Sequence, residues 1–169
     1  MDSTNKRSDG EELIEEYLDS ESIKFKPEVK ITNLKGDKLP YRKADFYLPQ
    51  YKTYVEFFGL WNIEKNKQQY REKKKIYAEN NIPCVYLYPD NLGILNFIFK
   101  RRLKNELKKH KMKWQLFKIN WNIFQEKHLL WILVFILLTF FIDKLTVKIL
   151  LGLFALYLIV TGVKSTFFK

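Results

Sequence analysis

Two apolar runs near the end of the chain most strongly limit what it can fold into. Residues 129–142 are apolar except for Thr139, and residues 145–163 are broken only by threonine, glycine and Lys148. A bilayer core of about 30 Å is crossed by roughly 20 helical residues, so the second run nearly suffices alone and the first needs its flanks. The sequence therefore predicts two transmembrane helices in residues 129–164, joined by a tight turn at Asp143 and Lys144. A soluble protein that buries this helical pair in an oligomer is the alternative.

A basic and aromatic segment, residues 111–128, precedes these runs. Its aromatic residues recur at helical spacing: Trp114, Phe117, Trp121 and Phe124. Such a stripe suits nucleic-acid stacking or a membrane interface, and the apolar runs favour an interface anchored by Trp114, Trp121 and Lys127. The excess of positive charge before and after the runs predicts that the N-terminal domain and the C-terminus are both cytoplasmic.

The whole chain is strongly basic, with a net charge of +11 in 169 residues. This charge favours a polyanionic partner, either nucleic acid or an anionic membrane surface. The single cysteine, Cys84, excludes an internal disulfide, and His110 and His128 as the sole histidines disfavour a zinc site. Residues 1–10 are polar, so we expect no signal peptide there.

Residues 1–110 are predicted to form an α/β domain with the element order α-β-β-β-α-β-α and a mixed central sheet. The first helix starts at a Ser8 or Asp9 cap and ends near Asp19. The remaining elements are a strand in residues 26–34, a hairpin in 42–59, a helix in 62–81, a strand in 84–88 and a helix with the stripe Leu95, Phe99, Leu103 and Leu107.

The predicted hairpin carries two acids amid apolar residues. Its strands are joined by a turn at residues 49–52, so pairing would bring Asp45 and Glu56 to the same end. Like charges in a poorly hydrated place oppose ionisation, and a hard cation such as Mg²⁺ would neutralise them. The alternative is that both acids lie on a solvent-facing edge.

The charged helix after the hairpin has one apolar face. Tyr70, Ile76 and Tyr77 define this face at about 100° per residue. Lys73 falls nearest its centre, whereas Lys75 points away. The pattern therefore predicts that Lys73 faces the sheet.

The segments Ala44-Asp45-Phe46-Tyr47-Leu48 and Val55-Glu56-Phe57-Phe58-Gly59 resemble the PD-(D/E)xK nuclease superfamily, which has the restriction-endonuclease-like fold. The resemblance covers roughly Ser8 to Leu107. It implies that Asp45, Glu56 and the backbone carbonyl of Phe57 hold Mg²⁺ or Mn²⁺. It also makes Glu11 a further ligand, with Glu12 in reserve.

The chain departs from the family motif at two positions. Ala44 stands in place of the proline, and Phe58 in place of the lysine. Some branches carry the lysine on the following helix, and Tyr70, Lys73 and Tyr77 resemble that pattern. The implied catalytic residues are then Glu11, Asp45, Glu56 and Lys73.

The resemblance implies a metal-dependent endonuclease that hydrolyses phosphodiester bonds, with DNA preferred to RNA as the expected substrate. Flanking cations would contact phosphates unless they are merely solvated surface: Arg42, Lys43, Lys65 and Lys67. Two other functions stay open, a catalytically silent nuclease-like domain that senses nucleic acid or protein, and a membrane effector whose active part is the hairpin. Homo-oligomers are compatible with each.

Overall fold

A computed structural model describes residues 8–141 and 145–167 of the chain. These residues form two compact units, one ending at Gln115 and the other beginning at Leu116. In the first unit the elements are α1 (Asp9–Ser20), β1 (Lys26–Thr32), β2 (Tyr41–Leu48), β3 (Thr53–Phe57), α2 (Glu64–Glu79), β4 (Cys84–Leu87) and α3 (Leu95–Lys109). The predicted order α-β-β-β-α-β-α is confirmed.

The four strands form one mixed sheet in the order β1-β2-β3-β4. Strands β1, β2 and β3 pair antiparallel, and β3 pairs parallel with β4. A parallel pair needs a crossover connection, which α2 supplies. The sheet is therefore mixed as predicted, and β4 lies at one of its edges.

Helix α1 begins with a capping box. The Glu11 amide donates to Oγ of Ser8 at 3.4 Å, and the Ser8 amide donates to Oε2 of Glu11 at 3.3 Å. Ile14 and Leu18 are wholly buried one helical turn apart. Ser8 is thus the cap, and the predicted apolar face of α1 packs inward.

Helix α3 carries the predicted apolar stripe, whose members are all buried: Leu95, Phe99, Leu103 and Leu107. The helix starts later than Pro89, because residues Pro89–Ile94 form a 3-10 turn instead. In that turn the Asn91 side chain accepts a hydrogen bond from the Tyr88 amide at 3.0 Å. Asn91 therefore competes locally with an α-helical start.

The second unit is helical in its described residues. Helix α4 (Lys113–Phe124), which begins just before the boundary, leads through a π-helical turn (Gln125–Leu129) into α5 (Leu130–Phe141), and α6 (Leu145–Phe167) follows. Helices α5 and α6 pack against each other, with the rings of Phe135 and Phe154 at 4.7 Å. The predicted turn at Asp143 and Lys144 lies outside the described residues.

Among the described residues, α6 alone is long and apolar enough to cross a bilayer, over the stretch Val147–Lys164. Only 11% of that stretch is buried. Helix α5 has 12 residues and is shorter than a span requires. The structure therefore supports one candidate span, in agreement with part of the predicted hairpin.

The aromatic segment before α5 keeps its tryptophans accessible. Trp114 and Trp121 are exposed, and Phe117 stacks on Trp121 at 6.3 Å. Phe124 is buried against Gly162 of α6. The side chain of Lys127 lies outside what the structure describes.

Candidate active site

The two acids of the hairpin meet at the end of the β2–β3 ladder. Phe46 pairs with Val55, so Asp45 and Glu56 each lie one residue beyond that pair. The charge of Asp45 acts on Glu56, which is only 1% exposed. The alternative in which both acids face solvent is therefore wrong for Glu56.

Both carboxylate oxygens of Glu56 accept hydrogen bonds from α2. Nζ of Lys73 donates to Oε2 at 2.6 Å, and the phenol of Tyr77 donates to Oε1 at 2.8 Å. Nζ of Lys73 also donates to the backbone carbonyl of Lys43 at 2.8 Å. The predicted inward orientation of Lys73 is confirmed, whereas Lys75 is 73% exposed beside Glu79.

Asp45 is held by the backbone of the neighbouring strand. Its Oδ2 accepts a hydrogen bond from the Phe57 amide at 2.6 Å. The carboxylate thus takes the place of the β2 backbone carbonyl that would accept this bond in a continuous ladder. The amides of Tyr54 and Phe58 donate to the backbone carbonyls of residues 83 and 87, so the backbone N–H and C=O groups of Tyr54 and Phe58 point toward β4. The backbone hydrogen-bonding groups of successive strand residues point in opposite directions. The carbonyl of Phe57, which precedes Phe58, therefore points toward β2, on the side of Asp45.

Burial dominates the electrostatics of these two acids. Loss of hydration raises the pKa of Asp45 to about 6, against the opposing effects of the Phe57 amide and Lys73. It raises the pKa of Glu56 to about 8, because desolvation outweighs the attraction of Lys73. A cation bound between them would favour their ionised forms.

Glu11 lies close enough to Asp45 for its charge to act on that carboxylate. Its carboxylate is engaged in the capping box with Ser8, and its charge adds to the burial that raises the pKa of Asp45. Glu12, the reserve candidate, is exposed. The ordinary role of a first-turn glutamate thus accounts for the observed contacts of Glu11.

Within residues 8–141 and 145–167, no group of three or more histidine, cysteine or acidic side chains is arranged to hold a metal ion. The three predicted carboxylates are therefore not gathered into one ligand group. Asp45, Glu56 and the Phe57 carbonyl still fit Mg²⁺, which needs one or two carboxylates and keeps several waters. Each carboxylate oxygen can accept two bonds, so the contacts of Glu56 with α2 do not exhaust it.

Phe58 occupies the centre of an aromatic cluster where the family motif has a lysine. Its side chain is 1% exposed. Four aromatic rings surround it, at these distances between ring centres: Tyr70 at 4.2 Å, Tyr86 at 5.4 Å, Tyr88 at 5.8 Å and Trp61 at 6.0 Å. Position 58 is therefore part of the core. The spacing of Tyr70 and Tyr77 revealed a helix face but not this cluster.

The backbone at two glycines lies close to the ring of Phe57, an arrangement that the sequence analysis did not predict. A Cβ added to Gly10 would lie 2.2 Å from the ring, and one added to Gly59 would lie 2.9 Å from it. Both glycines thus allow the backbone to approach the residue whose amide holds Asp45. No local pattern in α1 pairs Gly10 with β3.

The four flanking cations differ in how far they are already engaged. Arg42 forms a bidentate pair with Asp37 at 2.6 and 2.7 Å, which lowers the pKa of Asp37, and also contacts Glu72 at 3.1 Å. Lys43 pairs with Glu28 at 2.7 Å.

The side chains of the two helix lysines are more accessible than that of Arg42. Lys67 contacts Glu64 at 3.3 Å and lies 5.9 Å from the ring centre of Trp61, whereas Lys65 is exposed. Lys65 and Lys67 are thus better placed than Arg42 to meet a phosphate.

Comparisons with protein-family models, curated proteins and solved structures find no match to this chain.

Proposed function

We propose that this protein is a membrane-associated, divalent-metal-dependent nuclease with a restriction-endonuclease-like fold. The carrying observation is that Lys73 reaches Glu56 at 2.6 Å from the next helix, beside Asp45. Position 58 holds a buried phenylalanine, so Lys73 takes the place of the lysine that the hairpin lacks. The motif resemblance points to phosphodiester bonds of DNA in preference to RNA.

The proposed roles follow from the contacts of each group. Asp45, Glu56 and the Phe57 carbonyl would hold Mg²⁺ or Mn²⁺, and such an ion supplies charge stabilisation and a more acidic water. The ammonium group of Lys73 has three donors, of which two bind Glu56 and the Lys43 carbonyl. The third is available to orient water or to stabilise charge on a phosphate oxygen.

Helix α6 would anchor the nuclease to the membrane, with α4 at the interface. The exposed apolar side chains of α5 and α6 are costly in water and favourable in lipid. We extend this proposal to a two-helix hairpin that leaves both chain ends in the cytoplasm. Cleavage would then be confined to nucleic acid near the membrane.

The second candidate function is a catalytically inactive nuclease-like sensor of nucleic acid or protein, coupled to a membrane-active hairpin. It is favoured by the engagement of both Glu56 oxygens by Lys73 and Tyr77. In that case the ion pair would be a structural replacement for a metal.

Nuclease assays on the full chain in detergent separate these two functions. Circular and linear DNA and RNA would be incubated with Mg²⁺ or Mn²⁺ and with a chelator. The nuclease proposal requires metal-dependent cleavage that is lost in Asp45→Asn and Glu56→Gln but kept in Lys75→Gln. Absence of cleavage of every substrate, with nucleic-acid binding intact, would favour the sensor.

A further inference from the structure

A pocket of about 290 Å³ lies beside the edge strand β4 and is lined from α2, β4 and α3. Its wall includes Lys74, Cys84, Tyr86, Tyr88, Arg102 and Glu106. None of the proposed catalytic residues is among these. The consecutive lysines of α2 thus lie at two different sites, since Lys73 contacts Glu56 and Lys74 faces this pocket.

Two cations converge on the same pair of tyrosines. Nζ of Lys74 lies 3.3 Å from the phenol oxygen of Tyr88 and 4.9 Å from the ring centre of Tyr86. The guanidinium of Arg102 donates to the Tyr86 carbonyl, and it lies 5.3 Å from the ring centre of Tyr88.

The hydrogen-bond partners of these two cations are neutral groups. Arg102 also donates to the Asn91 side chain at 2.8 Å, so its donors meet a carbonyl and an amide. Lys74 meets a phenol. Burial lowers the pKa of Arg102, which indicates that the guanidinium is partly dehydrated. Two cations in such surroundings would be stabilised by a bound anion.

The donor set suits a phosphate group. Lysine offers a compact charge, arginine offers a planar fork, and phosphate oxygens accept both. Burial raises the pKa of Tyr86, so its phenol keeps its proton near neutral pH. The negative charge of Glu106 opposes an anion, but Lys109 at 3.7 Å and His110 at 3.5 Å lie beside it.

We propose that this pocket binds a phosphate monoester, presented by a mononucleotide or by the end of a nucleic-acid strand. The volume lies at the small end of ligand pockets, so it suits one phosphate with part of its attached sugar. The site does not depend on the nuclease proposal, because Lys74 and Arg102 are not part of the catalytic group.

Isothermal titration calorimetry of the full chain in detergent tests this site. Adenosine 5′-monophosphate is titrated against adenosine, and a 5′-phosphorylated oligonucleotide against its unphosphorylated twin, at constant ionic strength without divalent metal. Binding should require the phosphate. Lys74→Gln should weaken it by about tenfold or more, since it removes a charge-assisted bond.

The controls give opposite or no changes. Lys75→Gln and Glu56→Gln should bind as the wild type does, whereas Glu106→Gln should bind more tightly because a repulsive charge is gone. Arg102→Gln should weaken binding as Lys74→Gln does. Because misfolding cannot tighten binding, Glu106→Gln keeps the test sound if Arg102→Gln fails to fold. Loss of cleavage in Glu56→Gln with unchanged phosphate binding separates this site from the active site.

The proposal is overturned if no phosphorylated probe binds, if adenosine binds as well as its monophosphate, or if Lys74→Gln leaves the affinity unchanged. Binding of the mononucleotide alone supports a free nucleotide as the natural source. Binding of the phosphorylated oligonucleotide alone supports a strand end.

Discussion

Nζ of Lys73, on the charged helix α2, lies 2.6 Å from Oε2 of Glu56, on the buried strand β3. Replacing Lys73 with glutamine should reduce cleavage on the order of a hundredfold or more, because it removes the ammonium group that donates to Glu56. Glu56 would also lose its neutralising charge, so the melting temperature should fall at pH 8 and recover at lower pH, where Glu56 is protonated. Both quantities can be measured on the full chain in detergent.

The control for this change is Lys75→Gln, which removes an exposed lysine two positions along the same helix. It should leave cleavage and melting temperature nearly unchanged. Equal losses in the two variants would argue against a special role for Lys73.

The stability of the protein should fall as pH rises without divalent metal. Asp45 and Glu56 have folded-state pKa values of about 6 and about 8, against about 4 for such groups in an unfolded chain. The folded state therefore holds more protons between about pH 4 and pH 8, and the free energy of unfolding decreases across this interval. Melting temperatures measured by differential scanning fluorimetry should show this decline.

Glu56→Gln should flatten the upper part of that decline, because the variant lacks the group that titrates near pH 8. Adding Mg²⁺ should also reduce the wild-type decline, since a cation stabilises the ionised acids. A steeper decline in Glu56→Gln than in the wild type would contradict the assigned role of Glu56 burial.

Gly10 should be intolerant of alanine although it lies in a helix. The added methyl would meet the ring of Phe57 at 2.2 Å, and Gly59 closes the other side of that ring. Overpacking of this kind costs about 1–3 kcal/mol, which exceeds the 0.5–1 kcal/mol that alanine gains over glycine in a helix. Gly93→Ala is the matched control, because nothing lies within 4 Å of its added methyl. A melting temperature for Gly10→Ala at or above the Gly93→Ala value would disprove this packing.

Local patterns in the sequence predicted much of this arrangement, and the rest depends on tertiary contacts. Helical spacing around Tyr70 and Tyr77 suffices to direct Lys73 inward, since a helix face is a property of one segment. The contact of Gly10 with Phe57 joins residues far apart in the chain. The ion pairs of Arg42 with Asp37 and Glu72 also depend on tertiary contacts. The positive charge of Arg42 by itself therefore led to the prediction of a phosphate contact.

Phe58→Lys should destabilise the protein rather than supply the lysine of the nuclease motif that the hairpin resembles. The side chain would enter a cluster of four aromatic rings at a position that is 1% exposed, where an unpaired ammonium group is poorly solvated. We expect a loss of several kcal/mol, compared with about 1–2 kcal/mol for Phe58→Leu, which only leaves a cavity. Thermal unfolding of both variants measures the difference. A Phe58→Lys protein as stable as Phe58→Leu, with activity in the Lys73→Gln background, would show that position 58 can host the amine after all.

Leu153→Arg tests whether α6 lies in a bilayer. Leu153 is 58% exposed near the middle of the Val147–Lys164 stretch, so in water an arginine there would be harmless. At the centre of a membrane helix the same change costs roughly 3 kcal/mol or more in insertion free energy. The expected result is that carbonate releases much of the variant from membranes while the wild type needs detergent. Leu13→Arg, at a comparably exposed position of α1, should extract as the wild type does. Carbonate release of the wild type itself would contradict a spanning α6 and favour a buried helical pair in a soluble oligomer.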